Sequence, residues 1–342
     1  MNQFPLITIS GEPFERGLQH GTQLAAEIEK AVDFYRSIFG LAEDEILRHA
    51  EYFRKKIDAF DQSFVEEMDG IARGADIDPL WIVALNARTE ILSRSPGVTN
   101  ECTAVYFSEA SILGQNWDWG RALEPLAVLM KIEPADGHAI FMFTEPGIIG
   151  KIGMNSRGLG VCLNILTLGH VLDGLPIHIL LRAILECESL AQVESLLISH
   201  GGGKASNIMV ADGGGNGFDV EFCDASSYRV EPRSNYLLHT NHYLGSAINS
   251  EQNPDFSSSY ARFDRATQFL LDNSGRDVGA MRDLLSDESD RSYPIYREYL
   301  ADDSVHELGT VCTIVMELAQ LKLHIRKGKG AQARFFEYNL DD

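Results

Sequence analysis

The feature that most constrains this chain is a change of pattern at Cys102. Before it, apolar residues recur mainly at helical spacing; after it, short apolar runs separated by Gly, Asp and Pro indicate strands around a few helices. Residues 93–100, SRSPGVTN, are turn formers. We therefore predict a helical N-terminal segment, residues 1–101, that ends in an exposed linker directly before Cys102. Residues 102–342 form the remainder, and both parts make one globular unit.

Four helices are predicted in the N-terminal part, after residues 3–10, whose weak alternation indicates a strand. The helices cover residues 10–40, 42–60, 63–73 and 79–92. Pro13 and Pro79 stand early in their helices, where the missing N–H costs nothing. Gly17 and Gly21 lie four residues apart on one helix face. This spacing is typical of close approach by another element, and equally of a weak first turn.

Strand patterns dominate the chain after Cys102. Predicted strands cover residues 103–107, 112–117, 126–132, 139–143, 148–154, 160–166, 205–211, 217–223, 228–231, 236–239, 310–316, 321–325 and 333–338. Predicted helices cover residues 176–186, 190–199, 258–272 and 278–285. This order indicates two antiparallel sheets with helices outside both faces. The expected fold class is α+β, a four-layer α/β/β/α sandwich preceded by the helical segment.

Charge and cysteine usage narrow the classes of partner and compartment. A net charge of −21 over 342 residues argues against nucleic acid and anionic membranes as partners. No apolar run is long enough to span a bilayer, and the first ten residues do not resemble a secretory signal. Five scattered cysteines without CxxC or HxxxH spacing favour buried thiols in a reducing compartment. We expect a cytoplasmic protein without a metal site or a cofactor.

Cys102 opens the first strand pattern after the boundary, and it has two interpretations. A cysteine beside a strand is usually a small buried hydrophobe. If the peptide bond before Cys102 is cut, however, the new α-amino group has a reference pKa of about 8 and acts as a base toward its own thiol. Cys102 is therefore a candidate N-terminal nucleophile, with Glu101–Cys102 as the cleavage site.

Several motifs carry a resemblance to a known family. These are ECTAVYF (101–107), GQNWDW (114–119) and GKIGMNSRGLGVCLN (150–164), supported by GEPFERGLQHG (11–21), EEMDGIARG (66–74), LHTNHY (238–243) and TIVMEL (313–318). In this order they resemble the acyl-coenzyme A:6-aminopenicillanic-acid acyltransferase family. These are the autoproteolytic cysteine members of the N-terminal nucleophile (Ntn) hydrolase superfamily, whose fold is the same four-layer sandwich.

The resemblance implies a self-processing amidohydrolase or acyltransferase. Such an enzyme cleaves or forms a linear amide bond through a thioester on Cys102. The expected partners are small-molecule amides or acyl thioesters, and acyl-coenzyme A is a candidate substrate rather than a cofactor. After cleavage the fragments 1–101 and 102–342 would stay associated.

Candidate roles for further residues come from the same resemblance. Asp118 would orient the free α-amino group, and Asn241 would donate to the oxyanion that develops during acyl transfer. Asn164 aligns with an active-site Asn, although a turn residue at a strand end is an equal interpretation. Arg262 matches an Arg that arranges the surroundings of the nucleophile, whereas Arg265 is more typical of an exposed helix residue.

Substrate contacts are predicted at Trp119 and Thr103. The sequence also departs from its relatives at two places: Gln115 replaces an Arg of the hydrolase branch, and residues 303–307 contain no Arg to receive a penicillin carboxylate. Two other interpretations stay open. In one, Glu101 in place of a Gly leaves an unprocessed Ntn-fold binding or structural protein; in the other, Cys102 works with a His such as His242 without any cleavage.

Overall fold

The computed structural model describes residues 3–93, 102–168, 170–223, 226–232, 235–245, 257–329 and 333–340. Glu101 and most of the expected linker, residues 94–101, lie outside these ranges. In the described N-terminal part, strand β1 (Leu6–Gly11) precedes six helices. They are α1 (Pro13–Gln23), α2 (Ala25–Ile38), α3 (Glu43–Phe60), α4 (Gln62–Ala75), α5 (Pro79–Asn86) and α6 (Arg88–Leu92).

Two of the predicted helices are each divided in the structure. Residues 10–40 do not form one helix, because Leu24 leaves helical geometry at φ −123° and ψ 23° and separates α1 from α2. Its side chain is buried in the core. Ala87 separates α5 from α6 in the same way. Apolar periodicity continues across such short breaks, so it does not reveal them.

After Cys102 the described residues form mainly strands. They are β2 (Thr103–Phe107), β3 (Ile112–Gly120), β4 (Val128–Pro134), β5 (Ile140–Thr144), β6 (Ile152–Asn155), β7 (Gly160–Ile165), β8 (Ser206–Ala211), β9 (Gly217–Cys223), β10 (Ser226–Val230), β11 (Tyr236–His239), β12 (Leu300–Asp302), β13 (His306–Glu317), β14 (Lys322–Lys327) and β15 (Phe335–Asn339). The helices between them are α7 (Ile177–Leu185), α8 (Leu190–His200), α9 (Ser257–Asp272) and α10 (Val278–Leu284).

The strands make two sheets. The first has the order β1-β4-β5-β6-β7-β8-β9-β10, and the second has the order β11-β2-β3-β13-β14-β15, with β12 also paired to β13. All pairs after Cys102 in the described part are antiparallel, whereas β1 joins β4 in parallel. The two predicted antiparallel sheets are thus present, and the first gains one parallel strand at this edge, which the N-terminal segment supplies.

The sheets face each other, with helices outside. Gln115 of β3 bridges them, since its side chain donates to the carbonyl of Leu163 in β7 and accepts from the N–H of the same residue. Helix α7 contacts β6 and β7, while α9 and α10 lie on the second sheet. This arrangement confirms the four-layer α/β/β/α sandwich. No helix in the described ranges has the length and apolar character needed to cross a membrane.

A buried ion pair ties the N-terminal helices to the sandwich. Glu67 of α4 accepts hydrogen bonds from Arg16 of α1 at 2.7 Å and from Arg182 of α7 at 2.9 Å. Burial alone would raise the pKa of Glu67, but the two guanidinium groups outweigh it and lower the pKa. Because a buried carboxylate is tolerated only when it is paired, this contact fixes α1 and α4 against α7.

Helices α1 and α4 pack at glycines. A Cβ at Gly17 would lie 2.0 Å from the carbonyl oxygen of Glu67, and a Cβ at Gly70 would lie 2.3 Å from that of Phe14. The close-approach interpretation of the Gly17 and Gly21 spacing is thus the correct one.

We expect Gly17→Ala to lower the free energy of unfolding by about 3 kcal/mol, because the new methyl group meets rigid backbone. Urea denaturation of the two proteins measures this difference. The matched control is Gly275→Ala, whose added Cβ meets only the Ala280 methyl at 3.5 Å. Equal stability of both variants would show that the two helices can move apart at little cost.

Candidate active site around Cys102

Cys102 lies directly before β2 and faces the space between the two sheets. Its side chain belongs to the same core as Ala104 and Tyr106, whereas Val105 and Phe107 pack on the outer side of the second sheet. This alternation follows from the strand period of two. The residue is 6% exposed. Cys102, the residue at the change of sequence pattern, is thus buried between the two sheets.

Arg262 of α9 connects Cys102 to two other predicted site residues. It is fully buried, and it donates to the carbonyl oxygen of Cys102 at 2.7 Å, to Thr103 Oγ1 at 2.9 Å and to Asn241 Oδ1 at 2.9 Å. Asn164 Nδ2 donates to the same Cys102 carbonyl at 3.1 Å. Arg262 and Asn164 therefore both hold the Cys102 carbonyl, and Arg262 links it to Thr103 and Asn241.

Asn241 follows β11, and both the oxygen and the nitrogen of its side-chain amide form hydrogen bonds. Its Oδ1 accepts from Arg262, and one N–H of Nδ2 donates to the carbonyl of Ile165 at 3.0 Å. An amide nitrogen carries two N–H groups. The second one is the group that can donate to an oxyanion.

Thr103 and Trp119 lie on different sides of the second sheet. Thr103 points toward Arg262, because side chains alternate along β2, and it does not line the cavity beside Cys102. Trp119 does line that cavity, and its Nε1 donates to Tyr35 OH at 3.1 Å. Trp117 also lines it. Both tryptophans, but not Thr103, thus line the cavity beside Cys102.

A small cavity of about 30 Å³ lies between Cys102 and the N-terminal helices. This is space for about two water molecules. Its remaining lining residues are Arg88, Thr89, Asp118, Lys151, Ile152, Leu163, Ile165 and His178. Asp118 of β3, 1% exposed, lies near the thiol of Cys102.

A cluster of buried charges that no sequence motif predicted lies on the far wall of this cavity. Glu145 accepts hydrogen bonds from Tyr35 OH, from Lys151 Nζ and from Arg88 at 2.8 Å. Burial alone would raise the pKa of Glu145, but Arg88 and Lys151 hold it at about 2. Burial lowers the pKa of Lys151 to about 7. The signal available in the sequence was a charged residue inside an apolar run, as at Arg88, since such residues are seldom buried without a partner.

The environment keeps the thiol of Cys102 protonated in the intact chain. Burial raises its pKa to about 11, and the Asp118 carboxylate adds to the rise. The backbone N–H of Asp118 and the charges of Arg262 and Lys151 act in the opposite direction but do not outweigh burial. The thiol therefore has to give up its proton to another group when it attacks a carbonyl carbon.

The histidines near the site are engaged elsewhere. His178 lines the cavity, but its Nδ1 donates to the carbonyl of Gly150 at 2.9 Å, and burial lowers its pKa well below the usual value. His242 does not line the cavity, and its Nδ1 contacts Ser259 Oγ at 2.8 Å. Within the described residues, no group of three or more His, Cys, Asp or Glu side chains is arranged to hold a metal ion.

Comparison with known proteins places this chain in a family. The family model described as acyl-coenzyme A:6-aminopenicillanic acid acyl-transferase matches residues 107–332. The chain is 31% identical over 333 residues to the acyl-coenzyme A:6-aminopenicillanic-acid-acyltransferase 40 kDa form of Emericella nidulans, which covers 94% of this chain and 92% of that protein. It is also 23% identical over 222 residues to protein dcd1A of Dictyostelium discoideum, covering 54% of this chain and 50% of the other.

A solved structure supports the fold. A mutant of the conjugated bile acid hydrolase from Clostridium perfringens superposes with a TM-score of 0.50 at 14% identity, over 71% of this chain and 94% of that chain. At this identity the likeness concerns architecture only. Together the matches confirm the resemblance seen in the motifs: this chain belongs to the acyl-coenzyme A:6-aminopenicillanic acid acyl-transferase family and has the fold of the Ntn hydrolases.

Proposed function

We propose that the chain cuts itself between Glu101 and Cys102 and then acts as an N-terminal cysteine amidohydrolase or acyltransferase on a linear amide bond. Family membership supports an enzyme that acts on carbon–nitrogen bonds, because the relative from Emericella nidulans is named as an acyltransferase. The observation that carries the proposal is the Arg262 guanidinium. It holds both the carbonyl of Cys102 and the amide of Asn241, so one group positions the nucleophilic residue and the candidate oxyanion donor.

The self-cleavage begins with the thiol of Cys102. Its sulfur attacks the carbonyl carbon of Glu101, the C–N bond breaks, and the departing α-amino group takes the thiol proton. The product is a thioester that joins residues 101 and 102. Water then attacks the thioester carbon, which leaves a carboxylate on Glu101 and a free thiol and amine on Cys102.

The free amine then serves as the base for turnover. It removes the thiol proton, the thiolate attacks the acyl carbon of a substrate amide, and the leaving amine takes the proton back. Asn241 donates to the oxyanion, and Asp118 holds the α-amino group. Water or a second amine then releases the acyl group from the thioester. Acyl-coenzyme A can replace the substrate amide as the donor of the acyl group.

The surroundings of the cavity restrict where the substrate lies. Trp117, Trp119 and the aliphatic residues Ile152 and Leu163 give it an apolar wall suited to an acyl chain. Its volume of about 30 Å³ is too small for a complete substrate, so the proposal requires more space after cleavage. We place the enzyme in the cytoplasm, because five scattered cysteines without a disulfide pattern suit a reducing compartment.

Mass spectrometry under denaturing conditions tests the cleavage. The purified wild-type protein is expected to yield fragments 1–101 and 102–342, which elute together in gel filtration before denaturation.

The pH dependence of turnover tests the base. The turnover rate is expected to rise with pH through an ionisation with a pKa of about 8, because only the unprotonated α-amino group accepts the thiol proton. A protein that stays one chain after long incubation and is nevertheless active contradicts the mechanism.

A further inference from the structure

The turn that carries Asn241 is held on both sides by one buried carboxylate. Glu221, on β9 of the first sheet, contacts His239 Nε2 at 2.8 Å through Oε1. The same carboxylate accepts from the backbone N–H of Leu244 at 2.5 Å and from that of Gly245 at 2.9 Å. It therefore binds the chain two residues before Asn241 and again three and four residues after it.

His239 is held as an imidazolium in this arrangement. Its Nδ1 lies 2.8 Å from the carbonyl oxygen of Thr240, which can only accept, so Nδ1 carries a proton. Its Nε2 faces the Glu221 carboxylate, which likewise accepts. Burial lowers the pKa of His239, but the hydrogen bond with Glu221 and the charges of Asp219 and Glu221 outweigh burial and raise it.

We propose that Glu221 is a positioning residue for the oxyanion hole: its carboxylate closes the turn of residues 239–245 and thereby fixes the amide of Asn241 relative to Cys102. This inference rests on the proposed function, because it assigns Asn241 the role of oxyanion donor. Glu221 itself does not line the cavity beside the thiol, and it acts only through the turn.

The location of the contact explains why this brace matters. The turn leaves the second sheet at the end of β11, whereas Glu221 belongs to the first sheet, so the carboxylate fixes the turn across the sandwich. Hydrogen bonds to an ionised acceptor are about twice as strong as neutral ones. A catalytic donor displaced by about 1 Å can cost on the order of 10²-fold in rate. Neutralising Glu221 is therefore expected to lower the rate by weakening the hold on the turn and displacing the amide of Asn241.

Asp219 offers a matched control two residues away on the same strand. Like Glu221 it is fully buried, but it accepts from Asn207 Nδ2 and, in the part of the chain that the structure describes, from no residue of the 239–245 turn. Burial raises the pKa of Asp219 to about 7, so its neutral form is already close in free energy at neutral pH. Asp219→Asn therefore changes the charge near His239 but removes no hydrogen bond to the turn, so it separates the effect of charge from that of the brace.

A double-mutant cycle in the full-length, self-processed protein tests the proposal. The probe is p-nitrophenyl acetate, and hydrolysis by Cys102→Ala is subtracted as background. We expect Glu221→Gln to lower kcat by about 10²-fold with little change in KM, and Asp219→Asn to change kcat by less than about threefold. In the Asn241→Ala background, Glu221→Gln is expected to cost less than about threefold, because the donor that it positions is already absent.

The outcomes separate the brace from the proposed function. A wild-type protein without self-cleavage and without ester turnover contradicts the proposed function, whatever Glu221 does. An active wild type whose Glu221→Gln variant keeps its kcat, or loses the same factor with and without Asn241, overturns the brace alone. If melting curves show that Glu221→Gln is unfolded, the same double-mutant cycle is measured with His239→Gln in place of Glu221→Gln. The same coupling with Asn241→Ala is then expected, and its absence overturns the proposal.

Discussion

We expect Cys102→Ala to stay a single chain of 342 residues and to lose turnover by on the order of 10⁴-fold or more. The reason is that one sulfur atom carries both the self-cleavage and the later acyl transfer. Cys102→Ser is expected to lose most activity even where it is processed, because the hydroxyl is far less nucleophilic than the thiol at neutral pH. Denaturing mass spectrometry and a substrate assay on the same samples measure both effects.

Cys162 provides the control for this experiment. It lies on β7, is fully buried, and burial raises the pKa of its thiol well above the usual value. Cys162→Ala is therefore expected to cut itself and turn over normally, with a modest loss of stability from the missing side chain. Self-cleavage in Cys102→Ala, or its absence in Cys162→Ala, would show that the wrong cysteine has been identified.

Local sequence patterns predicted most of the elements that position the site. The strands over residues 103–107, 217–223 and 236–239 have the predicted bounds, because each is a short apolar run ended by turn residues. Strand β12 was missed, since Leu300–Asp302 is three residues long and mostly exposed. A run this short carries no periodic signal.

The polar interior of the site was much harder to predict than its frame. Arg88, Glu145 and Lys151 come from a helix, a loop and a segment before a strand, and they meet only because the N-terminal helices pack against the sandwich. Glu221 and His239 likewise belong to different sheets. Such pairs are determined by tertiary packing, and no spacing in one sequence reveals them. The candidate site residues around Cys102 could be predicted only because the motifs resemble those of a known family; periodicity alone does not indicate them.

The two candidate oxyanion donors differ in what else they hold. Asn164 Nδ2 supports the carbonyl of Cys102, which Arg262 also holds, and its Oδ1 has no hydrogen-bond partner among the described residues. Asn164→Ala is therefore expected to keep most of the stability and to slow turnover only moderately. Asn241 accepts from Arg262 and donates to Ile165. Its loss leaves a buried guanidinium N–H without that acceptor, at a cost of about 1–3 kcal/mol.

For Asn241→Ala we accordingly expect a folded, processed protein with a lower Tm and a kcat reduced by about two to three orders of magnitude. KM should change little, because the contact with the oxyanion forms mainly in the transition state. Steady-state kinetics, with the folded fraction checked by circular dichroism, measure this. Arg265→Lys is the control: Arg265 lies one turn along α9 and forms a partly buried ion pair with Asp287, away from Cys102, so its replacement should leave kcat unchanged. Near-normal turnover in Asn241→Ala would show that Asn241 is not the oxyanion donor. Asn164 would then be the candidate donor, and Asn164→Ala would be expected to show the large loss of kcat.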